Sequence, residues 1–279
     1  MKLVSEDASD FQKWYCRTVS ASGQTQYGRR TILSLLKNAM LPVGRTLYVL
    51  GGGWNDGSYS GQNIDSEILG CRSSWLTFFN SNAGAAYIPA LHQFEYGNGL
   101  DCSGYVHWIA YNTIYNTPGQ GFQTVTSYDM ADDFKNRGWA KTGDSNIYPG
   151  DIVSINEGNG AGHVYLVLGV CSDGSVLFAH STLVPYGTQG AGVQLSGTSV
   201  PGQSTDFVTM DSEAARLAAS YMKTHFPKWC YAPVEEPYNG YITGNTVRAT
   251  WITDGTSIMT DPENIRSLSG EQVIQRLFG

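Results

Sequence analysis

The chain has 279 residues, of which 15% are charged, and a formal net charge of −7. An acidic, charge-poor chain without a basic run lacks the clustered Lys and Arg that phosphate binding needs, so nucleic acid is not an expected partner. No apolar stretch approaches the ~18 residues of a membrane span. The longest apolar run, Val164 to Val170, is strand-sized.

The length allows one large decorated domain or two small ones. The start, MKLVSEDASD, has no apolar signal core. Either the protein works in the cytoplasm or its export signal is absent from this sequence, and the residues do not separate the two. Thirty-three glycines, 17 tyrosines and 7 tryptophans suggest many turns and some exposed aromatics, a mix found in proteins that act on glycans or walls. Aromatic core packing produces the same composition. The five cysteines include no CxxC pair, so no metal site and no cofactor are expected. An odd number leaves at least one thiol free in a monomer.

In chain order, residues 6–18 read as a helix around Phe11, Trp14 and Tyr15. Gln26 to Met40 reads as an amphipathic helix, with Pro42 just past its end. The glycines Gly51 to Gly53 permit close approach of a neighbour; without GxxxxGK[ST] they are a poor phosphate loop. Residues 54–99 read as a polar excursion with a short helix at Ser73 to Asn80 and too few apolar residues for a separate core. A helix from Cys102 to about Tyr115 ends before Pro118–Gly119, and a weaker one covers Ser127 to Arg137. The strands are IYPGDIVSI, HVYLVLGV and VLFAHST, the last two joined by a hairpin turn at Asp173–Gly174. Shorter strands are expected at Val193 to Leu195 and Phe207 to Met210. Asp211 is expected to cap a helix that stops before Pro227. A strand near Val247 to Ile252 and a helix from Ser269 to Phe278 close the chain. Helices followed by antiparallel strands give an α+β plan, with a helix packed on one face of an antiparallel sheet.

The stretch LDCSGYVHWIA carries the chemistry. It sets Cys102 at a helix start, where unpaired N–H groups and the helix dipole favour a thiolate, the nucleophilic form. A cysteine nucleophile needs a base, and the base an orienting partner. Of five histidines, His107 lies on the same helix, about 140° around from Cys102, and cannot reach it. His92 and His225 read as surface or structural residues. His163 opens a strand after a Gly-rich turn, and His180 closes the strand paired with it. An antiparallel hairpin makes these two imidazoles neighbours at one sheet edge. With the Cys102 helix starting at that edge, the three side chains converge.

The set LDCSGYV, PGDIV, GHVYLVLG and VLFAHST resembles the NlpC-type, papain-like cysteine peptidases of bacterial cell walls. The resemblance covers about residues 44–200, with 54–99 as an insertion, and it implies a papain-like fold in a single domain, 1–279. It also implies that Cys102, His163 and His180 are catalytic. Tyr48, Asp101 and Ser103 then line the substrate site, the last two binding the free amine of a terminal L-alanine. The implied partner is a peptidoglycan stem peptide, cut between γ-D-glutamate and a diamino acid, and the implied location is secreted or wall-associated. Three features depart from the pattern: Leu50 before the Gly pair, Tyr165 two residues after His163, and the long stretch before Asp101. Tyr165 shares a strand face with His163 and is expected to reshape the site. In the expected mechanism Cys102 and His163 form a thiolate–imidazolium pair, the Cys102 N–H holds the oxyanion, and His180 orients His163. The alternatives are an amidase, deamidase or acyltransferase on the same scaffold, or a wall- or glycan-binding module.

Overall fold

A computed structural model describes residues 27–54, 66–84, 87–117, 121–122, 124–183, 191–203, 211–226 and 235–278. The expected helix at 6–18, the strand at Phe207 to Met210, Cys16 and Cys230 lie outside the described residues. Among the described residues, helices α1 (Ile32–Met40), α2 (Ser73–Asn82), α3 (Cys102–Ile114), α4 (Met130–Asn136), α5 (Glu213–His225) and α6 (Gly270–Phe278) accompany a sheet. Its strands are β1 (Ala140–Thr142), β2 (Ile152–Gly158), β3 (Ala161–Val170), β4 (Val176–Thr182), β5 (Gly192–Thr198), β6 (Glu235–Glu236) and β7 (Thr246–Trp251), in the order β1-β7-β2-β3-β4-β5-β6. All neighbours are antiparallel except the β5–β6 pair. The α+β plan is thus observed. No described helix is long and apolar enough to cross a membrane.

Both faces of the sheet are covered, which explains why β3 and β4 read as almost unbroken apolar runs rather than alternating ones. One face presents Val164, Leu166, Leu168, Leu177 and Ala179 to a core shared with α1 and α3. The other presents Val153, Tyr165, Val167 and Phe178, and is covered by Tyr238, Tyr241 and Ile242. Helix α3 is central: all thirteen of its residues are buried. Helix α1 lies against it, closed at its N-terminus by a Thr31–Ser34 capping box. In the excursion, Trp75 and Phe79 of α2 are buried in the same core, Trp75 edge-on to Trp108 at 5.8 Å.

Several boundaries differ from the sequence reading. Ser212, not Asp211, caps α5: its hydroxyl accepts from the Ala215 N–H, while Asp211 is exposed. The expected Ser127 to Arg137 helix is split into a 3-10 turn, Ser127–Asp129, and α4. Strand β3 begins at Ala161, so His163 is its third residue. The C-terminal strand β7 starts and ends one residue earlier than the expected Val247 to Ile252, and lies between β1 and β2.

The Gly51–Gly53 run packs against the start of α3. A Cβ on Gly104 would stand 2.1 Å from the Gly52 carbonyl oxygen, and one on Gly53 (φ +94°) 2.6 Å from the Gly104 Cα. The Asp101 N–H donates to the Gly52 carbonyl at 3.0 Å. Because backbone, not a flexible side chain, would have to yield, Gly104→Ala should cost about 3 kcal/mol, as for overpacked cores. Urea unfolding checks this; an unchanged midpoint would mean the loop does not pack there in solution.

Candidate active site

Asp101 is the residue that starts α3. Its Oδ1 accepts from the Gly104 N–H at 2.7 Å and the Ser103 hydroxyl at 2.8 Å, and its Oδ2 accepts from the Gly51 N–H at 3.1 Å. The carboxylate therefore serves as an N-cap, satisfying a backbone donor that the helix leaves unpaired. It also ties the glycine loop to the helix. Burial still raises its pKa to about 6, against the pull of those hydrogen bonds.

Cys102 follows as the first helical residue and is 8% exposed. The Val164 N–H, the Ser127 hydroxyl and the Ser103 N–H are the donors near its sulfur that favour the thiolate. The Val164 donor is available for a topological reason. Among the described residues, the ladder between β3 and β4 starts at Leu166↔Ala179, so Val164 lies beyond it. The chain entering α3 fills that end, where the Ser181 hydroxyl donates to the Leu100 carbonyl at 2.6 Å. Ser127 carried no signal in the sequence reading, because only the tertiary fold lays its 3-10 turn against β2 and β3.

His163 and His180 are brought together as expected: His163 Nε2 lies 2.9 Å from His180 Nδ1. His180 is fully buried, and its Nε2 lies 2.9 Å from the Ser196 hydroxyl. A consistent assignment has His163 donating from Nε2 to His180 Nδ1, and His180 donating from Nε2 to Ser196. That leaves His163 Nδ1 unprotonated, as a base requires. Ser196, with Gln194 opposite His180 in the β4–β5 register, was not singled out from sequence. The available signal was alternating polar residues, Gln194 and Ser196, within a strand that is buried throughout.

Charge states differ from the expectation of an acidified thiol. Burial, and next the Asp101 carboxylate, push the Cys102 thiol up to about 12, outweighing its three hydrogen-bond donors. Burial pushes the half-buried His163 down to about 4, and holds His180 well below the usual histidine range, with His163 adding to the effect. The free site rests as neutral thiol and neutral imidazole. The helix start does supply donors, but its cap carries the wrong charge to favour a thiolate. Alkylation of Cys102 by iodoacetamide should therefore be slow at pH 7 and rise about tenfold per pH unit from 8 to 10, as thiolate forms. Asp101→Asn should shift that profile to lower pH. A rate already at plateau by pH 7 would mean a resting ion pair.

The remaining expected site residues fall as follows. Tyr48 is buried near Cys102 and Asp101; burial first, then the charges of those two groups, raise its pKa. Ser103 is held by Asp101 and approached by Trp54 Nε1 at 3.5 Å. Tyr165 is a correction. It has no exposed surface, and its hydroxyl donates to the Tyr241 carbonyl at 2.6 Å. It packs behind His163 and does not line an opening, because this sheet face is covered. His107 stays apart, its Nδ1 2.6 Å from the Thr124 hydroxyl and its ring stacked on Phe122. His92 lies 3.0 Å from Glu95 and stacks on Tyr87. Among the described residues, no cluster of three or more His, Cys, Asp or Glu could hold a metal ion.

Residues 92–182, about a third of the chain, match the family model of the CHAP domain. CHAP is a cysteine/amidase hydrolase domain related to the NlpC-type peptidoglycan hydrolases. The matched segment contains Asp101, Cys102, Ser103, Ser127, His163, Tyr165 and His180. No curated protein and no solved structure matches the chain.

Proposed function

We propose, with the CHAP match of residues 92–182 as premise, that this protein hydrolyses an amide bond of peptidoglycan stem peptides with Cys102 as nucleophile. The bond assigned is the one between γ-D-glutamate and a diamino acid. The observation that carries the reading is the His163–His180–Ser196 chain of hydrogen bonds, which begins one residue before Val164, whose N–H favours the Cys102 thiolate.

In this reading His163 takes the thiol proton as the sulfur attacks, because the resting pair is neutral. The N–H groups at the start of α3 stabilise the oxyanion. His163 then passes the proton to the leaving amine. Water, activated by the same imidazole, releases the acyl group from the sulfur. His180 holds the His163 ring through Nε2 and stays neutral.

Tyr48, Asp101 and Ser103 would line the acyl side of the cleft. Asp101 already accepts from three protein donors, so a substrate ammonium would meet a carboxylate shared with the helix cap. Single-domain organisation, 1–279, and action outside the cell, at the wall, belong to the same proposal. The CHAP description also includes amidases, which cut between the lactyl group and L-alanine. Mass spectrometry of purified muropeptides after incubation distinguishes the bonds. Products beginning at the diamino acid support the endopeptidase reading, free stem peptides beginning with L-alanine replace it with the amidase, and intact muropeptides reject both.

A further inference from the structure

The family match ends at residue 182, yet the site is finished by residues far beyond it. The π-helical turn Asn239–Thr243 packs on the outer face of the sheet. From it, the Tyr241 ring stands 6.1 Å from the His163 ring at 60°. It also lies 5.5 Å from both Tyr165 and Phe178, and Phe178 stands edge-on to His180 at 4.9 Å. Three aromatic rings of the outer sheet face thus stand beside the histidine pair.

The placement is fixed by register. Ile155 of β2 pairs with His163 on one side and with Thr246 of β7 on the other. The turn ends three residues before Thr246, so its position is tied to that of His163 across a single strand. One further contact holds Tyr241: its carbonyl accepts the Tyr165 hydroxyl at 2.6 Å, while the Glu236 carboxylate interacts with its hydroxyl.

We infer that Tyr241 is a positioning residue for His163, closing the outer side of the His163–His180 pair to water and fixing the ring that serves as base. The inference rests on the proposed catalytic role of His163. A ring against one flank of an imidazole restricts its rotation and keeps water from competing for the Nε2–Nδ1 hydrogen bond. It also disfavours the charged imidazolium, so the base stays neutral in mild acid.

The titratable groups that face His163 are His180 on β4, Tyr165 on its own strand and Tyr241 on the turn, while Cys102 lies against the neighbouring Val164. Glu236, Glu157, Tyr238, Asp151 and Arg248 act one step further out, through Tyr241 and Tyr165. These charges act on the two tyrosines that stand beside His163, which makes the cover itself the variable to test.

The test is NMR titration of the His163 ring Hε1 signal, assigned with His163→Gln, alongside the pH profile of kcat/KM. In the wild-type protein and in Tyr241→Phe, which keeps the ring, His163 should titrate below pH 5. In Tyr241→Ala and Tyr241→Leu, admitted water should move the midpoint up by about one pH unit or more. The acid limb of kcat/KM should move with it. A folded Ala or Leu variant with the wild-type midpoint overturns the inference. If neither variant folds, the wild-type spectrum decides: a ring–ring NOE between Tyr241 and His163 supports it, and its absence overturns it. The titration needs no turnover, so a protein that cleaves nothing yet shows the shift would contradict the proposed function and leave the positioning role standing.

Discussion

Cys102→Ala should abolish cleavage of muropeptides, with a loss of at least ~10⁴-fold in kcat/KM, because removing a covalent nucleophile leaves only binding and oxyanion contacts. Stability should hardly change. Alanine is the best helix former and suits the first position of α3, and the Asp101 cap does not involve the cysteine side chain. The Val164 and Ser127 donors lose an acceptor, but a thiol is a weak one. Product release followed by mass spectrometry, with circular dichroism on the same sample, separates lost chemistry from lost fold. Residual cleavage within tenfold of wild type would assign the activity to other residues.

His163→Ala should cost about 10³-fold or more, since the thiol of Cys102, held up to about 12, needs a base at neutral pH. The sign of the pH dependence follows from the burial of His163. Its pKa is lowered to about 4, so the neutral base persists through mild acid, and kcat/KM should fall only as pH drops toward 4. In His163→Ala, activity should instead rise with pH in step with thiolate formation and be greatest above pH 9. His180→Ala should be milder in kcat/KM but costly to stability, because it opens a cavity beneath His163 and strands Ser196. Rate–pH profiles of the three proteins check the ordering; a His163→Ala variant with wild-type rates at pH 7 would remove the histidine from the mechanism.

Local patterns were readable in the sequence, and non-local ones were not. The start of α3 at Cys102 followed from the apolar run after DCSG, and the meeting of His163 with His180 followed from hairpin geometry. The close approach of Gly51–Gly53 was also foreseen, though its partner, Gly104, emerged only from the fold. The ionisation of Cys102 was misread. A helix start favours thiolate in isolation, but the magnitude depends on burial and on the charge of the cap, and neither is visible until Asp101 is seen folded back on Gly104 and Gly51. Tyr165 looked like a site-lining residue because strand alternation puts it on the His163 face. Nothing in the sequence says that residues 238–242 cover that face. The same long-range contact hid Tyr241. The insertion of β7 between β1 and β2 joins residues about 90 to 110 positions apart, a pairing that periodicity does not encode.

Cysteine catalysis implies a covalent acyl-enzyme, and its capture tests the central claim most directly. The protein is mixed with purified muropeptide, quenched in acid within milliseconds to seconds, and weighed intact before peptide mapping. The expected result is an added mass equal to the acyl half of the substrate, on the Leu100–Ala110 stretch at Cys102, transient in the wild type and absent in Cys102→Ala. Muropeptide cleavage by the wild type with no adduct at any quench time, and equal cleavage by Cys102→Ala, would contradict it.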